Sequence, residues 1–417
     1  MKVPNPISRT LPISIFCVGL IISCSGVRTV DFETPVDTSD KQITFQERQV
    51  YFQEDHGLFV DNTFDGARLN GVEKLNDSTL KAIIRPENEP INSSPYYAFK
   101  IASNTPKKMY VSLEYPQGHA HRYAPKVKKP TKDWEILDST KIFIMDSLVT
   151  LELSLDEQPT LIAAQELQTS EQVKDWYHDL SSGKGYVRPY IYGTSKMGRE
   201  LPVLDIYRGG KTSKPIIVLL TRQHPPEVTG FFAFKAFLET VLDDSELSNT
   251  FLDTHRVLAF PILNPDGVDL GHWRHNAGGV DTNRDWSKYR QPEIHQTVEF
   301  IEEQLKKDGA RLLLGLDFHS THKDVFYTNT SQEGSTLPHF EKDWFSALEE
   351  NIPHYKVNES SGNSTKPVSK GWFLKRHGAV GITYEIGDNT PRNRISTIGR
   401  VSAQEMMKIL CSNTNLN

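Results

Sequence analysis

The chain is poor in cysteine and has no excess of positive charge. It carries three cysteines among 417 residues, and Cys411 is the only one beyond residue 24. A disulfide framework is therefore excluded as the source of its stability. The 47 Lys and Arg residues face 53 Asp and Glu residues. This balance argues against a nucleic-acid partner, which would require a basic surface.

Long apolar runs are also scarce, and the longest, Leu11–Ile22, is shorter than the roughly 20 residues that a spanning helix needs. Lys2 and Arg9 flank its N-terminal side, as in a secretory signal peptide. The run ends in Leu20-Ile-Ile-Ser-Cys24, which resembles a bacterial lipobox; an ordinary secretory signal is the alternative. We therefore predict a signal peptide over residues 1–23 and a lipid anchor on Cys24. The protein would then be held to a membrane of the bacterial cell envelope, on the periplasmic or outer-surface side.

Short alternating apolar segments follow the polar residues 24–40, which we interpret as a tether. Tyr97, Phe99 and Ile101 alternate with polar residues, as does the segment from Val149 to Leu155. Turn-rich breaks separate such segments, and no helical periodicity lies between them. Residues 41–157 are therefore predicted to form a β-sandwich domain.

Residues 165–411 alternate buried strands with amphipathic helices, which predicts an α/β domain. The predicted strands are 201–207, 215–220, 255–263, 311–318 and 379–386, and helices are predicted over 228–242, 292–307 and 344–351. A further helix, through Val173, Trp176 and Leu180, is predicted to open at a capping box over residues 169–172.

A histidine and a carboxylate, His224 and Glu227, lie in the turn that joins the predicted strand 215–220 to the next helix. Imidazole and carboxylate are zinc ligands, and this turn is at a strand's carboxyl end, where open α/β sheets place their sites. An H-x-x-E pair arises by chance about once in a chain of this length, so the pair alone does not distinguish a metal site from coincidence.

Further polar stretches end or follow the other strands of this half. They are Asn264-Pro-Asp-Gly267, Trp273-Arg-His-Asn276, Val280-Asp-Thr-Asn-Arg-Asp-Trp286, Leu316-Asp-Phe-His-Ser320 and Thr383-Tyr-Glu-Ile386. Together with His224 and Glu227, this order resembles the zinc metallocarboxypeptidases over about residues 170–411. The preceding region, with Phe64-Asp-Gly-Ala-Arg-Leu69, resembles the N-terminal domain of the cytosolic-carboxypeptidase branch. The resemblance implies a mixed eight-stranded sheet sandwiched by helices.

The resemblance also implies roles for individual residues. One zinc ion would be bound by His224, Glu227 and His319, which leaves a fourth position for water. Glu385 would take a proton from that water and pass it to the leaving amine. Arg274 would stabilise the developing oxyanion of the scissile carbonyl.

Three neighbouring residues complete the implied site. Asn283 and Arg284 match the pair that binds the terminal carboxylate of the substrate, for which a planar guanidinium is suited. Asp281 matches the acid that orients the first zinc histidine.

The chain departs from the family pattern in two places. Pro226 lies where the digestive members carry an arginine, and the cytosolic branch likewise uses a proline-containing motif, H-P-G-E. A mobile tyrosine is expected upstream of Glu385, but counting places Asn363 there, and Tyr355 lies outside the register. The replacement for that tyrosine is left open.

Specificity depends on Lys370, which counting back from Glu385 places at the floor of the substrate pocket. A buried ammonium there would favour acidic C-terminal residues; the alternative is that Lys370 points to solvent.

We therefore predict a zinc metallocarboxypeptidase that hydrolyses the C-terminal peptide or amide bond of a substrate with a free C-terminus, by a zinc-activated water. Two alternatives use the same zinc site: a murein-peptide amidase and an acylamino-acid deacylase. A third is a non-catalytic peptide-binding lipoprotein.

Overall fold

The computed structural model describes residue 1 and residues 27–53, 57–145 and 148–414. The predicted signal peptide and Cys24 lie outside these residues, so export and lipidation stay predictions. None of the helices in the described ranges combines the length and the apolar composition that crossing a bilayer requires.

Two β-sheets form the first part of the chain. Their strands are β1 (Val50–Gln53), β2 (Leu58–Asp61), β3 (Gly71–Asn76), β4 (Thr79–Ile83), β5 (Ala98–Ser103), β6 (Lys107–Glu114), β7 (Lys126–Lys128), β8 (Glu135–Ile136), β9 (Ile142–Met145), β10 (Leu148–Leu155) and β11 (Thr160–Ala163). One sheet has the order β1-β2-β5-β11-β7-β8 and the other β3-β4-β6-β10-β9. Inward-facing side chains of both sheets, such as Phe99 and Val111, share one buried core, as the period-two pattern predicts.

The second part alternates helices and strands. The elements are α1 (Ser170–Ser181), β12 (Val187–Thr194), β13 (Glu200–Ile206), β14 (Ile216–Thr221), α2 (Val228–Val241), α3 (Glu246–Thr254), β15 (Arg256–Phe260), α4 (Pro265–Leu270), α5 (Pro292–Asp308), β16 (Leu312–Thr321), β17 (Val325–Tyr327), α6 (Phe340–Asn351), β18 (Glu359–Ser360), α7 (Ser369–His377), β19 (Val380–Gly387) and α8 (Arg392–Thr414). The strands form one mixed sheet with the order β12-β13-β15-β14-β16-β19-β17-β18. The predicted fold, an eight-stranded mixed sheet preceded by a strand-rich region, is confirmed.

Helices cover both faces of this sheet, because alternate strand residues bury on opposite sides. Ile217 and Leu219 of β14 belong to a core shared with α1, α2, α3, α6 and α8. Val218 and Leu220 face the opposite core, which α5 and α7 complete.

The polar stretches of the sequence lie at one edge of the sheet, where the central strands end. β15, β14, β16 and β19 run parallel, so their carboxyl ends meet at the same edge. Open α/β sheets bind ligands at that edge, and the polar stretches of the sequence all reach it.

The described part of the predicted tether, residues 27–40, lies against the α/β part. Val30 and Phe32 are buried in the core beside α5 and α7. The Val30 N–H donates to the carbonyl of Ser287 at 3.2 Å. Burial of these apolar side chains, together with such hydrogen bonds, packs the segment on the α/β part.

Candidate active site

Three possible metal ligands converge at the carboxyl ends of β14 and β16. His224 lies in the turn after β14, Glu227 is the N-cap of α2, and His319 is near the end of β16. Their ligand atoms all lie within 4.8 Å of one another. The two Nδ1 atoms are 3.2 Å apart, and the Glu227 carboxylate oxygens lie 2.8 Å from His224 Nδ1 and 2.6 Å from His319 Nδ1.

A carboxylate contacts the far nitrogen of each ring. Asp281 Oδ1 lies 2.9 Å from His224 Nε2, and Asp317 Oδ2 lies 2.9 Å from His319 Nε2. An imidazole that donates its Nε2 proton presents an unprotonated Nδ1, the form that binds a metal. The sequence predicts Asp281 but not Asp317. The spacing of two residues from His319 on the same strand, hence the same face, is the signal that could have indicated Asp317.

This donor set fits zinc. If each ring keeps its proton on Nε2, two nitrogen lone pairs and the Glu227 carboxylate would surround a bound cation, which would offset the repulsion among them. Nitrogen ligands about 2.0–2.1 Å from a tetrahedral zinc ion lie roughly 3.3 Å apart, close to the 3.2 Å between these Nδ1 atoms. Burial tends to raise the pKa of Glu227, but attraction to His224 and His319 outweighs it and lowers that pKa. Glu227 is therefore ionised, as a ligand must be.

Glu385 lies next to His319 on the paired strand β19. Its Oε2 atom is buried and has no hydrogen-bond partner among the described residues. Burial, together with the nearby Glu227 carboxylate, raises the pKa of Glu385 to about 8. A carboxyl group with a free oxygen and this pKa can accept and return a proton near neutral pH.

Arg274, predicted to stabilise the oxyanion, and Asn283 and Arg284, predicted to bind the terminal carboxylate, follow α4 in the chain. Asp281 Oδ2 accepts one hydrogen bond from Arg274 Nε at 2.8 Å, and Arg274 Nη2 lies 2.8 Å from the same oxygen. Arg284 Nη1 donates to the Asn283 carbonyl at 2.7 Å. The Asn283 side chain accepts the N–H of Ser369 at 3.0 Å. Arg274, Asn283 and Arg284 all line the cavity that holds the three possible metal ligands.

Lys370 lies in the first turn of α7 and is only 1% exposed. Because Lys370 is buried and lines the same cavity, its side chain does not point to bulk solvent. The ammonium donates to the carbonyl of Thr328 at 2.6 Å and to Ser364 Oγ at 2.9 Å. Burial lowers the pKa of Lys370 to about 8.

The cavity has a volume of about 410 Å³ and carries cations on several sides. Arg274, Arg284 and Lys370 line it, as does Arg122 of the strand-rich part. Arg122 Nε donates a hydrogen bond to Asp388 Oδ2 at 2.7 Å. Arg122 is not among the predicted site residues, because it lies between β6 and β7 in a segment without periodicity. Four cationic side chains therefore line this cavity, with Asp281 beside Arg274 and Asp388 beside Arg122.

The expected tyrosine has no counterpart at the counted position. Asn363 lines the cavity, and Tyr355 is buried in the core of the α/β part. Tyr327, the last residue of β17, does line the cavity. Tyr327 is not among the predicted site residues, because a strand of only three residues gives no periodic signal.

Comparison with known proteins agrees with this geometry. The family model described as Zinc carboxypeptidase matches residues 173–405. An uncharacterized protein of Zymomonas mobilis is 24% identical over 270 residues, which are 63% of this chain and 67% of that protein. Cytosolic carboxypeptidase 2 of Xenopus tropicalis is 31% identical over 139 residues, 33% of this chain. The match spans only 14% of the Xenopus protein.

Two solved structures share the fold across most of the chain. A metallo-carboxypeptidase from Burkholderia cenocepacia superposes with a TM-score of 0.70 at 14% identity, over 86% of this chain and 100% of that one. A metallo-carboxypeptidase from Pseudomonas aeruginosa, in complex with (2-guanidinoethylmercapto)succinic acid, superposes with a TM-score of 0.69 at 19% identity, over 84% and 98%. Since the family model covers more than half of the sequence, this chain belongs to the zinc carboxypeptidase family.

Proposed function

We propose that this protein is a metallocarboxypeptidase that removes the C-terminal residue of a peptide and favours an acidic one. The observation that carries the proposal is the convergence of His224, Glu227 and His319 beside Glu385, in a cavity lined by cations. The family supplies the reaction class, and the cavity supplies the expected preference.

Each side chain has a task in this reaction. A zinc ion bound by the three ligands would supply Lewis-acid polarisation of the scissile carbonyl and of a water molecule. Glu385 accepts the water proton at Oε2 and delivers it to the departing amine. Arg274 donates to the carbonyl oxygen as negative charge develops there.

The free end of the substrate determines where cleavage occurs. Arg284 and Asn283 bind the terminal carboxylate, which restricts cleavage to the last peptide bond. Lys370 lines the same cavity. Its ammonium attracts an acidic side chain of the last residue, because an ion pair away from bulk water is strengthened by the lower local dielectric.

Glu385→Gln tests the reaction. The variant should retain zinc and lose roughly 10²- to 10⁴-fold in kcat, because Gln cannot take up a proton. The measurement is release of C-terminal residues, with zinc content by elemental analysis and a chelator-treated wild type for comparison. The substrate panel includes peptides, muropeptides and acylamino acids, so that the amidase and deacylase alternatives are separate outcomes. Full activity of Glu385→Gln would contradict its assigned role, and zinc binding without turnover of any substrate would favour the non-catalytic binding protein.

Lys370→Ala tests the preference. We expect the ratio of kcat/KM for peptides ending in Glu to kcat/KM for peptides ending in Leu to fall by about tenfold or more, since one charged contact is worth roughly 1.5–3 kcal/mol. Lys366→Ala is the matched control, because Lys366 is close in sequence but does not line the cavity. An unchanged ratio in Lys370→Ala would reject the acidic preference and leave the peptidase proposal intact.

A further inference from the structure

A buried carboxylate from the strand-rich part contacts the loop that carries Arg274. Glu87 lies between β4 and β5 and is 0% exposed. Its two oxygens accept three consecutive backbone N–H groups: Trp273 at 2.8 Å, Arg274 at 3.0 Å and His275 at 2.6 Å. The segment has no helical or strand pairing of its own, so these N–H groups depend on Glu87 for partners.

Asn88 extends the contact to the other end of the loop. Its Oδ1 lies 2.7 Å from His275 Nδ1, and its Nδ2 donates to the carbonyl of Gly279 at 3.0 Å. Trp273 adds an apolar anchor, since its ring is buried in the core of the two-sheet part. Two adjacent side chains and one indole therefore hold the loop 273–279 against the strand-rich part.

The loop in turn reaches a metal ligand through two charged contacts. Arg274 Nε lies 2.8 Å from Asp281 Oδ2, and Asp281 Oδ1 lies 2.9 Å from His224 Nε2. A shift of the 273–275 backbone would carry the guanidinium with it. The contacts thus connect Glu87 to the groups that act on the substrate.

The cost of burying Glu87 indicates that its position is specific. A buried carboxylate is unfavourable unless it is hydrogen-bonded or paired, and here three backbone N–H groups satisfy it. Burial tends to raise the pKa of Glu87, but the nearby His272 and Arg68 lower it. Glu87 is therefore an anion, and both of its oxygens accept hydrogen bonds from the loop backbone.

We propose that Glu87 is a positioning residue for hydrolysis: by binding the backbone of residues 273–275, it holds Arg274 in place to face the scissile carbonyl. The strand-rich part is thus required for the active site and is not an appendage. This inference rests on the proposed function for its kinetic consequence, but the contact itself can be measured without turnover.

Glu87→Gln removes one acceptor and the charge while keeping the size of the side chain. We expect hydrogen–deuterium exchange to accelerate at the amides of 273–275, measured by mass spectrometry. The exposed Glu157→Gln, the same chemical change in the same part of the chain, should leave that exchange unchanged. We also expect kcat to fall by about 10- to 100-fold with little change in KM, because a misplaced Arg274 affects the transition state most.

A double-mutant cycle separates positioning from a general structural effect. If Glu87 acts through Arg274, Glu87→Gln should cause almost no further loss of kcat in an Arg274→Ala background. Additive losses, or unchanged exchange at 273–275, would overturn the inference. A wild type without peptidase activity would refute the proposed function instead, while the exchange experiment still decides the contact.

If Glu87→Gln does not fold, Asn88→Ala provides a second test of the same contact. It removes only the contacts to His275 and Gly279, so we expect faster exchange at 275–279 and a smaller loss of kcat. Unchanged exchange there would count against the inference.

Discussion

At the scale of single residues, the site depends on ionisable groups held away from water. Glu227 is kept ionised by two imidazoles, whereas burial and the Glu227 carboxylate raise the pKa of Glu385 to about 8. The two carboxyl groups therefore suit different tasks, one as a ligand and the other as a proton acceptor and donor. Lys370 adds a cation whose charge depends on pH in the accessible range, because burial lowers its pKa to about 8.

The pKa of Lys370 predicts a pH-dependent selectivity. The ammonium is charged below about pH 8 and neutral above it, so attraction for an acidic C-terminal residue is present at pH 7 and largely lost at pH 9. We expect the ratio of kcat/KM for Glu-ending to Leu-ending peptides to fall over this interval. The titration of any enzyme group that affects both peptides equally cancels in this ratio. In Lys370→Ala the ratio should be independent of pH, and a constant ratio in the wild type would contradict the prediction.

At the scale of elements, the metal site depends on how closely α2 packs on β16. Gly230 is in the first turn of α2, and a Cβ atom there would lie 2.2 Å from the His319 carbonyl oxygen. The Gly230 N–H donates to Ser320 Oγ at 2.8 Å. The glycine therefore lets the helix that begins after Glu227 approach the strand that carries His319.

Gly230→Ala should separate these two elements. Because overpacking a buried contact costs about 1–3 kcal/mol, we expect the free energy of unfolding to fall by that amount and zinc affinity to weaken. Denaturant unfolding and zinc titration measure the two effects. Gly185→Ala is the control, since a Cβ atom there meets nothing within 4 Å. Stability and zinc affinity equal to wild type in Gly230→Ala would contradict this packing.

At the scale of the whole molecule, the site exists only when the chain is folded. His224 and His319 are 95 residues apart in sequence, and Arg122 and Glu87 reach the site or its loop from the strand-rich part. Metal binding is therefore linked to folding, because the unfolded chain does not present the preformed ligand set.

Zinc should stabilise the folded protein. At a free zinc concentration about 1,000 times Kd, the expected gain is about 4.1 kcal/mol, observed as a rise in Tm that a chelator reverses. His319→Ala should lose most of this rise. His295→Ala, an exposed histidine on α5, should keep it. A wild-type Tm that does not respond to zinc would contradict a metal site at these residues.

Regular periodicity explains which elements could be predicted. The predicted strand 215–220 and helix 292–307 correspond to β14 and α5, because apolar residues there recur with a clear period. The long helix α8 is not among the predicted helices. Gly399 weakens the helical signal of this segment. Close packing on α2 explains the glycine, because a Cβ atom at position 399 would lie 2.7 Å from the Ala233 carbonyl oxygen.

The sequence by itself determined the strand-rich and α/β parts, the family and the set of candidate ligands, because periodicity and motif spacing are local properties of the chain. Only the tertiary structure decided that Asp317 orients His319, that Arg122 enters the cavity and that Glu87 binds the Arg274 loop. Glu87 and Arg274 are 187 residues apart. A contact of this kind depends on how two sheets and their loops pack in space, and no local pattern of residues records that arrangement.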